Sequence, residues 1–303
     1  NKSILKSDTG IFNIPVGDEI IYLSGDLGDY IFGYKPVKIS SYEDLARFRD
    51  RVNGGEKELS AKLEGDIDIS AEGNWQPISG FSGTFDGDGH KIFGFDIWSD
   101  LAGFFRNAGA AVIKNLIIEG SVNGVNFSAG IVGGNKISGD ISIENCFFIG
   151  NVTGSYASSG ICFNGTVKNC GVIGDVTGTG DVGGIGLNTK AKNCFVFGTV
   201  KSTSGAAAGV SNGSGTSNSY YRESMGSVVG YGTQKTAESF ASGEVAYLLG
   251  DAFGQNLGTD ECPMMKTKDN GVYYSEADGT YSTHSTVDID YSLNNSGLFV
   301  YPP

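Results

Sequence analysis

The chain has 303 residues, of which 48 are glycine, 6 are proline and 5 are cysteine, and its net charge is −13 at pH 7. This charge argues against a nucleic acid or an anionic membrane surface as a partner, because no basic stripe is present to neutralise phosphate groups. No apolar run reaches the roughly 20 residues of a membrane helix, and the sequence contains no signal peptide.

Three regions follow one another along the chain. Residues 1–38 predict short strands of an N-terminal β extension. Residues 39–235 open with a helix that begins after Ser41, carries Leu45, Phe48 and Val52 on one face and ends at Gly54. An open solenoid end exposes strand edges, so we expect this helix to cap the first coil of the repeats that follow.

Four aspartates come between the helix and the clearest repeats, namely Asp66, Asp68, Asp86 and Asp88. Carbohydrate-active enzymes use such carboxylates as acid or base, and we take these four as the candidate catalytic residues. The alternative is that DIDIS is a strand with solvated carboxylates and that FDGDGH is a turn whose aspartates bond the local backbone. No Lys or Arg partner is evident for them in the sequence.

One nine-residue block is written four times, as KNLIIEGSV, ENCFFIGNV, KNCGVIGDV and KNCFVFGTV. Asn145, Asn169 and Asn193 are 24 residues apart, and a fixed period of this length indicates a solenoid. The short, glycine-punctuated, β-rich segments predict an all-β fold, a right-handed parallel β-helix with about 24 residues per coil. In degraded form the repeat extends backwards, since Ile92 and Ile97 match Ile113 and Ile118, each 21 residues on.

Two columns of the repeat have a structural interpretation. The asparagines at Asn115, Asn145, Asn169, Asn193 and Asn218 are predicted to stack at one turn and to hydrogen-bond along the axis. The cysteines at Cys146, Cys170 and Cys194 take the register of Leu116 and are predicted to be buried free thiols. With only two histidines and no CxxC pair, the sequence predicts no metal site, and it indicates no cofactor.

Two features of the repeats are candidate binding surfaces. The step from Leu116 to Cys146 is 30 residues, which predicts a protruding loop over residues 135–140 with Asn135, Lys136 and Asp140 as candidate contacts. The positions that alternate with the core form an outward apolar stripe, in which the candidates are Phe147, Phe195 and Phe197. This stripe is either covered by another part of the chain or docks a partner.

Residues 236–303 predict a short helix followed by trailing strands. Val245, Leu248, Leu249 and Phe253 have helical spacing, and we expect this helix to cap the C-terminal end.

An ordered set of strings carries a resemblance over roughly residues 39–262. These are SYEDLARFRDRVNGG, GDIDIS, WQPI, GTFDGDGHKI, AGFF, the Asn-Cys repeats and the tail ESFASGEVAYLL with GQNLGTD. The set resembles the GLUG-motif β-helical surface proteins of bacteria, which are described as immunoglobulin A1 proteases. The resemblance implies a secreted or cell-surface protein whose signal peptide or lipid anchor has been removed. The zinc-peptidase motif HExxH is absent, because His90 is followed by KIFG and His284 by STVD, so the chain corresponds to the noncatalytic solenoid.

Two functions therefore remain open. The first is a noncatalytic, adhesin-like module that binds host or dietary glycans, mucin, immunoglobulin or other host proteins. The second is a polysaccharide lyase or glycosidase that uses the acidic residues. We favour the first because the sequence lacks a clear catalytic constellation.

Overall fold

The computed structural model describes residues 3–5, 30–32, 36–134, 141–228 and 230–283, and the chain divides into two units, Asn1–Ala237 and Glu238–Pro303. The first unit is a parallel β-helix, as the repeat predicts. Successive coils add strands to three sheets, and the pairings among these strands are parallel. One antiparallel pair, Ser3–Leu5 with Tyr30–Phe32, precedes the coils.

Seven strands form the first sheet: Val37–Ile39, Ala61–Leu63, Thr84–Asp86, Val112–Lys114, Ile141–Glu144, Gly165–Lys168 and Lys190–Lys192. The second sheet contains Ile67–Asp68, Lys91–Ser99, Ile117–Gly124, Phe127–Ala129, Phe147–Ile149, Val152–Gly154, Ala157–Ser159, Gly171–Ile173, Val176–Gly178, Asp181–Gly183, Phe195–Ala208, Tyr220–Val228 and Thr233–Gln234. The third contains Ile78–Ser79, Phe105–Arg106, Val132–Gly133, Cys162–Phe163 and Gly186–Leu187. The core lies between these sheets, because alternate side chains of each strand point inward.

The register confirms the 24-residue period in the later coils, where Val152 pairs with Val176 and Val176 with Val200. The predicted alignment of the earlier coil is wrong, because Ile92 pairs with Ile118 and Ile97 with Val122. The cause is a bulge at Gly94, whose φ of 83° belongs to the left-handed region. This extra residue lengthens one strand relative to its neighbour, and simple sequence matching cannot show it.

Helix α1 spans Tyr42–Asn53 and closes the end of the core as predicted. The Ser41 hydroxyl accepts a hydrogen bond from the Asp44 amide at 3.3 Å, which caps the first turn. Phe48 is fully buried and packs edge-on against Phe81 and Phe85, with ring centroids 5.9 and 5.7 Å apart. The helix is therefore part of the same hydrophobic core as the coils.

The asparagine ladder is present as predicted. The Asn145 amide donates to the Asn115 side-chain oxygen at 3.0 Å, and Asn169, Asn193 and Asn218 continue the series at 3.0, 3.2 and 2.9 Å. All five have positive φ, between 42° and 54°. Asparagine tolerates this left-handed backbone better than most residues, so the column sets the corner of each coil as well as linking neighbouring coils.

The three cysteines of the repeat are buried and free, as predicted. The Cys170 sulfur accepts a hydrogen bond from the Cys146 amide at 3.3 Å and lies 3.2 Å from the Lys168 carbonyl oxygen. Burial raises the pKa of the Cys170 and Cys194 thiols well above its ordinary value. These side chains therefore stay protonated and serve as small core residues.

The second unit has two short helices, α2 over Ala237–Ala241 and α3 over Glu244–Leu249. Two antiparallel pairs follow, Phe253–Gly254 with Met264–Met265 and Tyr273–Ser275 with Thr280–Ser282. The predicted helical face is correct for Val245 and Leu249, which are buried, but Leu248 is exposed and Phe253 lies in a strand. Gly250, with a φ of 86°, ends the helix before Phe253 is reached.

Candidate binding surface

Asp86 lies at the end of the asparagine ladder. Its carboxylate accepts hydrogen bonds from the Asn115 side chain and the Asp88 amide, both at 3.0 Å, and pairs with the Lys114 ammonium at 2.9 Å. Partial burial raises the pKa of Asp86, but these donors outweigh it and hold the pKa below its ordinary value. Asp88 pairs with Lys62 at 3.0 Å. The expectation that no Lys partner lies near is therefore wrong, because stacking of the coils brings these lysines alongside.

Asp66 and Asp68 are on the neighbouring sheet. The Asp66 carboxylate accepts a hydrogen bond from the Lys91 amide at 2.9 Å and lies 3.3 Å from His90 Nδ1. Asp68 accepts the Ser70 amide at 2.9 Å, and its hydrogen bonds from Ser70 lower the pKa of the carboxyl. All four aspartates therefore hold local backbone or pair with a neighbouring basic group.

The candidates of the apolar stripe are not an open surface. Phe147 and Phe195 are 1% and 0% exposed, and their rings meet edge-on at 5.8 Å. They close over Gly171, where an added Cβ would lie 2.5 Å from the Phe195 ring. Phe197 is half-buried, and the Arg222 guanidinium lies 4.9 Å from its ring centroid. The loop candidates Asn135, Lys136 and Asp140 lie outside the described residues.

A different surface, on the second sheet, has an open aromatic side chain. Trp98 is 66% exposed, and the Asn74 side chain fixes its backbone by accepting from the Trp98 amide at 2.9 Å and donating to the Trp98 carbonyl at 3.4 Å. Its neighbour Ile97 is fully buried, so the indole is on the outer side of the strand. The pattern around Trp98 thus places a rigid aromatic plane in solvent.

Polar side chains continue from Trp98 across the following coils. We define the polar platform as Trp98 with the residues in its register, Asn123, Thr153, Thr177 and Lys201, and the adjacent column Asp96, Ser121, Asn151, Asp175 and Thr199. Neighbouring members are linked, since the Thr153 and Thr177 hydroxyls are 3.2 Å apart and the Asn151 side-chain oxygen accepts the Asp175 amide at 2.9 Å. The rows repeat at the strand spacing of about 4.8 Å.

Sequence reasoning missed this platform, although a signal for it was present. The buried valines Val122, Val152, Val176 and Val200 are each flanked by polar residues on both sides. This alternation predicts a hydrated outer face. Beside the platform, Tyr156 is also exposed and meets Phe127 edge-on at 5.2 Å.

Within the described part of the chain, no helix is long and apolar enough to cross a membrane. The same residues contain no group of three or more His, Cys, Asp or Glu side chains suited to holding a metal ion.

No family model, no curated protein and no solved structure matches this chain. The resemblance to GLUG-motif proteins thus stays a prediction.

Proposed function

We propose that this β-helix is a noncatalytic binding module of a secreted or cell-surface protein, and that it binds glycans through the polar platform. The observation that carries the proposal is the exposed indole of Trp98 at one end of rows of hydroxyl, amide and carboxylate groups. An indole plane packs against the apolar CH face of a sugar ring. The flanking groups both donate and accept hydrogen bonds, as sugar hydroxyls require.

The charge of the protein favours neutral over anionic sugars. The net charge is −13, and the platform itself includes Asp96 and Asp175 against one lysine, Lys201. Sulfated or sialylated chains would therefore meet repulsion, whereas neutral chains would not. The GLUG-type resemblance supports an extracellular location and the solenoid part of an immunoglobulin A1 protease-like protein.

The enzymatic alternative has less support. A glycosidase needs one carboxyl group whose pKa is raised so that it can act as a general acid. The pKa of Asp68 and of Asp86 is lowered instead, and Asp86 and Asp88 are ion-paired with lysines.

The test is retention of the protein on an array of neutral plant polysaccharides, mucin glycans and immunoglobulin A, with the eluate analysed for cleaved product. We expect retention on neutral glycans without cleavage. Trp98→Ala should weaken binding about two- to tenfold, the range for loss of one aromatic contact. Tyr231→Ala, which removes another exposed aromatic ring outside the platform, is the matched control and should bind normally.

Three results would contradict the proposal. Cleaved product would favour the enzyme and direct attention to the four aspartates. Equal effects of Trp98→Ala and Tyr231→Ala would remove the platform as the site. Retention on none of the glycans would remove glycans as the ligand.

A further inference from the structure

The second unit has an exposed aromatic cluster of its own. We define the tyrosine cluster as Tyr247 of α3 with Tyr274 and Tyr281 of the last strand pair. The three ring centroids are 5.9, 5.7 and 5.0 Å apart, so each ring contacts the other two. Tyr247 is 45% and Tyr274 40% exposed. Tyrosines packed together at such exposure offer a continuous aromatic surface to a partner.

Local structure fixes this arrangement. Val245, Ala246 and Leu249 are the buried side of α3, which leaves Tyr247 on the outer side. Tyr274 and Tyr281 are directly paired across the two strands and so project from the same face. The connecting turn is held by Asp278, whose carboxylate accepts from the Thr280 amide and hydroxyl at 3.1 and 2.8 Å. The rings are therefore positioned before any partner arrives.

The surroundings of the cluster are acidic. Residues 238–283 contain eight carboxylate side chains and two lysines, with no arginine or histidine. Glu276 and Asp278 are in the turn that follows Tyr274, and Glu244 precedes Tyr247 by one helical turn. Hydrogen bonds from Thr280 and Ser275 lower the pKa of Asp278, so this group stays ionised at neutral pH. A cationic partner is the complement of this charge.

Tyr273 supplies a contrast on the other face of the same strand pair. It is 46% exposed, similar to Tyr274, but neighbouring residues in a strand point to opposite faces. The Lys266 ammonium and the Tyr273 hydroxyl both lie beside Gly271, where an added Cβ would be 2.8 Å from the nitrogen and 3.3 Å from the oxygen. The face of Tyr273 is thus next to a positive charge, which a cationic partner would avoid.

We propose that the tyrosine cluster docks an arginine-bearing segment of a partner polypeptide. The electron-rich ring faces attract a cation, and the planar guanidinium stacks on tyrosine better than an ammonium does. The nearby carboxylates add attraction at longer range. This surface is separate from the polar platform, and the inference does not rest on glycan binding.

The experiment measures binding of the full chain to a fluorescent peptide of alternating arginine and glycine, by anisotropy at low and at high salt. Peptides with lysine or serine in place of arginine are compared in the same way. We expect the arginine peptide to bind tightest and the serine peptide to show no binding. High salt should weaken the complex, since the attraction is electrostatic.

Variants locate the site. Tyr274→Ala should weaken binding about two- to fivefold, the range for loss of one cation–π contact. Tyr274→Phe keeps the ring and should retain binding. Tyr273→Ala, its sequence neighbour on the opposite face, should leave binding unchanged. Thermal unfolding of each variant verifies that the second unit stays folded.

Several outcomes would overturn the inference. They are no binding of the arginine peptide, equal affinity for the lysine and arginine peptides, or equal effects of Tyr273→Ala and Tyr274→Ala. Displacement of the peptide by a neutral oligosaccharide would reassign the cluster to glycans.

Discussion

The asparagine ladder makes the most quantitative prediction, through replacement of its central member. Asn169 donates to the Asn145 side-chain oxygen at 3.0 Å and accepts from the Asn193 amide at 3.2 Å. Its φ is 54°, so the backbone is left-handed at this corner. Asn169→Ala removes both hydrogen bonds and places a Cβ without a polar group in this strained conformation.

The expected loss of stability is the sum of two effects. Each lost hydrogen bond costs about 1 kcal/mol net, and the left-handed backbone costs alanine about another 1 kcal/mol. Asn169→Ala should therefore destabilise the β-helix by about 3 kcal/mol. Asn169→Gly loses the bonds but not the backbone freedom, so it should cost about 2 kcal/mol.

Asn188 is the matched control for the ladder. It has nearly the same backbone, with a φ of 53°, but its side chain makes no hydrogen bond to any residue that the structure describes. Asn188→Ala should cost about 1 kcal/mol, from the backbone alone. The assay is urea unfolding followed by circular dichroism, with the midpoint and slope compared across the variants. Equal losses for Asn169→Ala and Asn188→Ala would refute the stabilising role of the ladder.

Three further predictions concern packing and the buried thiols. Gly171→Ala forces a Cβ to within 2.5 Å of the Phe195 ring and should cost about 1–3 kcal/mol, whereas Gly65→Ala, with nothing within 4 Å, should leave the urea midpoint unchanged. Burial raises the pKa of Cys162 from 9.0 to about 12, so the thiol should resist a thiol-reactive dye until the protein unfolds, and rapid labelling of the native state would contradict its burial. The unfolded chain loses this proton at lower pH than the folded one, so stability should be intact below pH 9.0, fall as the pH rises from there towards 12, and be measurable as a declining urea midpoint. Phe48→Ala should destabilise the first unit by about 3–5 kcal/mol, because a fully buried ring leaves a cavity, and a loss as small as that of the exposed Arg47→Ala would show that α1 is not part of the core.

Features set by local periodicity could be predicted from the sequence. The 24-residue spacing fixed which residues stack, and it led directly to the asparagine ladder and the cysteine column. Helix α1 was equally accessible, since Ser41, the buried spacing of Leu45 and Phe48 and the terminal Gly54 are contiguous signals. In each case the repeated or local pattern is itself the cause of the structure.

Contacts between residues far apart in sequence required the tertiary structure. A bulge at Gly94 changed the pairing of the early coils, which shifts every later partner in that strand. Lys114 reaches Asp86 from 28 residues away because one coil stacks on the next, and no local pattern records this.

The candidate binding surfaces followed the same division. The outward direction of Phe147 and Phe195 is implied by strand alternation, but their burial depends on what packs over them. The exposure of Trp98 and the meeting of Tyr247 with Tyr274 and Tyr281 likewise depend on the folded arrangement. The sequence by itself determined the stacking of the coils, because a period is a property of the chain. Only the tertiary structure decided which outer side chains are covered and which are open to a partner, because burial is a property of three-dimensional packing.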